Sequence, residues 1–299
     1  MNADLPTTIP AYLERLRRAL DGCDPALAQD ALYDAEDYLR SELAANPGRS
    51  EAEVIAAVAG SYGAPDEVAD IYRDTEARVQ TALRAPPPPP RTSLAGRFFG
   101  VLVDPHTYGS LFYMLLAMAT GTFFFTWVTT GLALSLGLSI LVVGIPFAIL
   151  FVGATRILAL VEGRIVEVML GERMPRRPLY TDTSLPLLQR IGAMFTDPRT
   201  WATMLYFVAM LPLGIAYFTA VVLGLALGLS LASLPVAVAL GYGDWIQVPA
   251  PMDPSLPWTW PVFVAGGLLL VFATLHLARF VGRMHGKLAK AMLVSSRPY

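Results

Sequence analysis

The residues able to do chemistry are few and scattered. Cys23 stands alone, which excludes a disulfide framework and any thiolate metal cluster, and His106, His276 and His285 are too dispersed to predict a zinc site. No G-x-x-x-x-G-K, G-x-S-x-G or H-E-x-x-H occurs, and no nucleotide-binding loop follows a strand. The sequence therefore assigns no catalytic residue, no metal ligand and no cofactor, and reads as a protein that is not an enzyme. Arg156 and His276 are the titratable residues nearest the interiors of apolar spans, where a charge marks function by default. Both lie within about a turn of a span's end, where a long cation can reach the interface, so Arg156 is expected to snorkel. Glu162, Arg164, Glu167 and Arg173 read as a solvated helical face, and His285 as part of a basic tail.

The elements that carry these residues are mostly apolar. Of 299 residues, 55% are hydrophobic and only 15% charged, with a mean hydropathy of +0.51. Thr107 to Thr155 and Thr200 to Gly243 hold no Asp, Glu, Lys, Arg or His. Each run exceeds the ~20 residues that cross a bilayer. The chain also repeats: Asp104, Pro105, Thr107, Tyr113 and Gly121 recur 93 positions later as Asp197, Pro198, Thr200, Tyr206 and Gly214. Further on the offset rises to 119, pairing Ala154, Thr155, Gly163 and Arg164 with Ala273, Thr274, Gly282 and Arg283, so the second copy contains a 26-residue insertion. Each copy predicts an Asp-Pro helix start and two spans, near 109–133, 137–160, 202–228 and 260–281.

Residues 1–84 predict a compact helical module. Tyr12, Leu13, Leu16 and Leu20 line one helix face, and Asp24-Pro25 caps a second helix ending at Asn46-Pro47-Gly48. Ser50 with Glu53 is a capping box, and Pro65 opens a helix through Val68, Ile71 and Tyr72. Residues 85–93 contain five consecutive prolines, Pro86 to Pro90, and predict a stiff spacer. The membrane repeats occupy 94–178 and 187–290, with the insertion at about 235–261. The fold class is all-α: a small cytoplasmic helical domain plus a four-helix transmembrane domain built from two parallel repeats.

Every Lys and Arg falls before the first span, in the 156–199 connection, or in the 279–297 tail. The positive-inside rule then places both termini and the middle connection in the cytoplasm, in an inner-membrane, multi-pass topology. The polar start of the chain does not resemble a signal peptide. Gly131 with Ser135, and Gly224 with Gly228, are small pairs four apart that predict close packing between the repeats, or homodimerisation. The insertion, carrying Asp244, Trp245 and Trp258, is the one external surface large enough for a ligand, although its tryptophans also fit an interfacial belt.

Two stretches resemble known families. Asp197-Pro198-Arg199-Thr200-Trp201, Leu205-Tyr206, Leu211-Pro212-Leu213-Gly214 and Leu223 to Gly228, with Gly144-Ile145-Pro146, Arg156 and Val161 to Arg164, are similar to the sensor domain of actinobacterial membrane histidine kinases. These 299 residues contain no kinase module, so the resemblance carries no expectation of kinase output. Tyr12-Leu13 with Leu16, the acidic helix Asp34 to Leu39, and Tyr62-Gly63-Ala64-Pro65-Asp66-Glu67-Val68-Ala69 resemble the HAAS domain. That resemblance implies a cytoplasmic protein partner, such as a PadR-like transcription regulator. Residues 1–84 carry 16 acidic against 8 basic residues, which disfavours direct nucleic-acid binding. Candidate partner contacts are Gly63, Pro65, Glu67 and Tyr72, though core packing accounts for Tyr72 and helix punctuation for Gly63 and Pro65. The expected function is a membrane sensor or regulator without catalytic output, in contact with membrane lipid. The alternative is a small transporter or permease subunit, which should place polar groups near the midplane.

Overall fold

The computed structural model describes residues 5–83, 93–140, 143–177, 186–242, 253–254 and 256–294, and these contain helices and no strand. The N-terminal unit consists of α1 (Ile9–Ala19), α2 (Pro25–Ala45), α3 (Glu51–Ser61) and α4 (Pro65–Leu83). Its caps are those the sequence predicts. Asp24 accepts from the Ala26 N–H with Pro25 in the first turn, and Ser50 and Glu53 satisfy each other's backbone donors. Tyr12, Leu16, Leu39, Ile55, Val58 and Val68 form its core. The predicted spacer at Pro86 to Pro90 lies outside the described residues.

The second unit is built on α6 (Pro105–Leu138), α7 (Gly144–Leu170), α9 (Pro198–Ala237) and α10 (Trp260–Leu293), each long and apolar enough to cross a membrane. Short α5 (Leu94–Phe99) and α8 (Leu187–Thr196) lead into the two copies. Helices α6 and α9 outrun their predicted spans at both ends, α7 starts later than predicted but runs on to Leu170, and α10 runs on to Leu293. Asp104 and Asp197 cap α6 and α9 by accepting from the His106 and Arg199 N–H groups, and Gly171 ends α7 in the left-handed region at φ 74°.

The repeat is visible in the packing. A Cβ on Gly121 of α6 would overlap the Met210 carbonyl of α9, and a Cβ on Gly214 of α9 would overlap the Ala117 carbonyl of α6. Both pairs are related by the 93-residue offset, so α6 and α9 cross backbone-to-backbone about a pseudo-twofold axis. The Asp-Pro caps tie the copies together. Asp197 pairs with Arg156 of α7 at 3.1 Å, and Asp104 pairs with Arg279 of α10 at 2.9 Å. Arg156 thus turns inward to Asp197 and Thr200 instead of snorkelling, because a desolvated guanidinium finds a carboxylate of the other repeat within reach. The small pairs read from sequence pack inside their own repeats rather than between them. Gly131 meets Phe151 of α7, and Gly224 and Gly228 meet Thr274, Gly267 and Val271 of α10; Ser135 Oγ is buried with no hydrogen-bond partner.

Candidate functional site

One polar layer crosses the bundle. Tyr113 and Tyr206 stand eight residues after the starts of α6 and α9, and Glu162 and His285 stand eight residues before the ends of α7 and α10. At 1.5 Å per residue each lies about 12 Å from that terminus of its own helix. The two tyrosine hydroxyls reach Glu162 Oε1 at 2.7 and 3.0 Å and His285 Nε2 at 2.7 and 2.9 Å. Tyr217, three turns further along α9, reaches His285 Nδ1 at 3.2 Å. The solvated reading of Glu162 and the tail reading of His285 are corrected here: the residues are 0% and 1% exposed. Helices α7 and α10 continue past their hydrophobic stretches, which draws both side chains into the bundle.

The layer is fully cross-linked on one carboxylate oxygen and open on the other. Each hydroxyl donates its one proton to Glu162 Oε1 and lies within hydrogen-bond range of His285 Nε2, while Glu162 Oε2 is buried with no partner. A site of this kind fixes the relative position of four helices. Removing one member leaves buried polar atoms unsatisfied, so it resists gradual deformation.

The exit of α7 and the end of α10 carry the N-terminal unit. Asp30 of α2 is 5% exposed, and its Oδ1 accepts from the Arg176 and Arg177 N–H groups at 2.7 and 2.9 Å. Arg173 pairs with Asp30 at 3.3 Å and with Glu76, and Arg177 pairs with Asp34 at 2.9 Å. Lys290 near the end of α10 pairs with Asp24 at 2.5 Å. Burial raises the Asp30 carboxyl above its ordinary value, and Asp34 adds to the rise; the two N–H donors and Arg173 oppose it. A small cavity at this seam is lined by Gln29, Arg156, Met174, Arg199 and Thr200 among others.

The residues singled out from sequence lie elsewhere. Gly63 accepts from the Tyr12 hydroxyl at 2.8 Å with φ 116°, Glu67 accepts from the Ala64 N–H at the start of α4, and Tyr72 donates to Asp34 at 2.8 Å. With Pro65 opening α4, these contacts serve the unit's own fold. Trp258 is exposed beside the start of α10, while Asp244 and Trp245 lie outside the described residues. His276 faces the Phe98 carbonyl at 3.2 Å. Sequence reasoning placed Glu162 and His285 in solvent and passed over Asp30. The repeat-related tyrosines were a usable signal, since a buried phenol inside an apolar span requires a polar partner.

Among the described residues no group of three or more His, Cys, Asp and Glu side chains could hold a metal ion. No curated protein and no solved structure matches the chain. Residues 11–71 match the family model described as HAAS, a protein-interaction domain. With the four membrane-capable helices this arrangement fits a membrane sensor or regulatory role, and neither family is catalytic. Residues 113–293, more than half of the sequence and the whole of the polar layer, match the family model described as Putative sensor, and the chain belongs to that family.

Proposed function

We propose that the protein is a multi-pass inner-membrane sensor without catalytic output, whose HAAS unit faces the cytoplasm and recruits a protein partner, such as a PadR-like transcription regulator. The observation that carries the reading is the seat of the HAAS unit on the bundle. Its acidic α2 is tied to the exit of α7 through Asp30 and to the end of α10 through Asp24, and these two helices carry Glu162 and His285 of the layer that joins all four long helices. A shift of those helices therefore alters how the unit is held. Affinity capture from native membranes with the full chain tests the reading. Specific recovery of a soluble partner that is lost on deleting residues 1–84 supports it; recovery undiminished by that deletion sinks it.

The buried Glu162–His285 layer favours a second reading, a small transporter or permease subunit, because ionisable groups inside a bundle also mark ion pathways. Uptake of a solute by proteoliposomes, abolished by Glu162→Gln, would favour that reading.

A further inference from the structure

The stretch leaving α7 is bound by the HAAS unit as an extended peptide is bound by a receptor. After Gly171 the backbone is non-helical through Arg177. One face of α2, formed by Gln29, Asp30, Tyr33 and Asp34, reads it at main-chain and side-chain atoms alike. Asp30 accepts two successive N–H groups, those of Arg176 and Arg177, and Gln29 Nε2 donates to the Arg177 carbonyl at 3.2 Å. Two guanidiniums supply the rest. Arg173 is held by Asp30 and Glu76, and Arg177 pairs with Asp34 while lying 5.8 Å from the centroid of the Tyr33 ring. Between them Met174 is fully buried.

We infer that this face of α2 is the HAAS unit's ligand site, that residues 171–177 occupy it as a tethered ligand, and that the partner presents an extended segment with arginines at the same four-residue spacing. The inference rests on the proposed role of the HAAS unit in meeting a protein. Three of the contacts are to main-chain atoms, which any extended segment offers, and the carboxylates select for arginine by charge-assisted pairing, Arg173 bridging two of them. The charge balance of residues 1–84 agrees, with 16 acidic against 8 basic residues. A tethered segment competes at an effective concentration in the millimolar range, so a free segment gains the site only when the ends of α7 and α10 move apart. Helix rearrangement in the bundle thereby becomes exposure of an arginine-binding face.

The test uses the full chain in nanodiscs and a fluorescent synthetic peptide with the sequence of residues 171–177. The Arg173→Ala/Arg177→Ala variant should bind the peptide at least tenfold more tightly than the unmodified chain, and adding Asp30→Ala should remove that gain. Equal binding by the variant and the unmodified chain, or a gain that survives Asp30→Ala, overturns the inference. Where the double variant lacks the helical circular dichroism of the unmodified chain, peptide titration into the unmodified chain up to millimolar concentration decides. Saturable binding abolished by Asp30→Ala supports the site, and its absence refutes it. Peptide binding through Asp30 without any captured partner would leave the site standing and remove the recruitment reading. A captured partner indifferent to Asp30→Ala would do the reverse.

Discussion

Glu162 takes both of its hydrogen bonds on one oxygen, from tyrosines that are copies of each other. Tyr113→Phe or Tyr206→Phe removes one donor and leaves the other, whereas the double variant strips Oε1 of every partner. Each single change should cost about 1–3 kcal/mol. The double change should cost more than the sum, because the second hydroxyl lost is the last one holding the carboxylate; unfolding titrations in detergent would register this, and simple additivity would contradict it. Asp30 gives a second residue-level expectation. Its carboxyl is raised from an ordinary value near 3.8 chiefly by burial, so the docked form binds that proton more tightly than the undocked form. Asp30 therefore favours docking below the ordinary value and loses that contribution as pH rises through the raised one. The melting temperature of the unmodified protein relative to Asp30→Asn should fall across that window as pH increases; a rise would contradict it. None of these partnerships is local in sequence. Tyr113 lies 49 positions from Glu162 and 172 from His285, and Asp30 lies 146 from Arg176, so a residue pattern that reports neighbours along a helix could not display them.

At the scale of elements, much was legible because caps and periodicity are local. The proline after Asp24, Asp104 and Asp197, and the Ser50–Glu53 box, mark where helices begin, and the helices begin there. Which faces of those helices meet was not legible. Glycine permits close approach but does not name the helix that approaches, so Gly131 and Gly224 looked suited to join the repeats and instead pack within them. The inter-repeat contact falls to Gly121 and Gly214, whose added Cβ atoms would strike main-chain carbonyls that cannot rotate away. Gly121→Ala and Gly214→Ala should each destabilise the bundle by about 1–3 kcal/mol through overpacking. Gly153 of α7 has nothing within 4 Å of an added Cβ, so Gly153→Ala should stay within about 0.5 kcal/mol of the unmodified protein. Melting temperatures of the three variants in one detergent would check this, and an indifferent Gly121→Ala together with an indifferent Gly214→Ala would remove the crossing.

For the whole molecule, the seam between the HAAS unit and the bundle fixes which end of the bundle shares its compartment. The ends of α7 and α10, with Arg173, Arg177 and Lys290, are held by α2, so the HAAS unit and these basic residues lie on one side. Helix α10 runs 34 residues from Trp260 to Leu293, which places Leu256, just before its start, far along the helix from Lys290, which α2 holds. The clustering of Lys and Arg at the HAAS end predicts that this side is the cytoplasm. With Cys23 replaced by Ser, Leu256→Cys should react with a membrane-impermeant thiol reagent in intact cells. Ala44→Cys, whose position is exposed on the HAAS unit, should react only after lysis. The two positions serve as each other's controls, since both become reactive once the membrane is opened. Labelling of Ala44→Cys in intact cells while Leu256→Cys is protected would invert the topology and place the arginine-binding face of α2 outside, where a cytoplasmic regulator could not meet it.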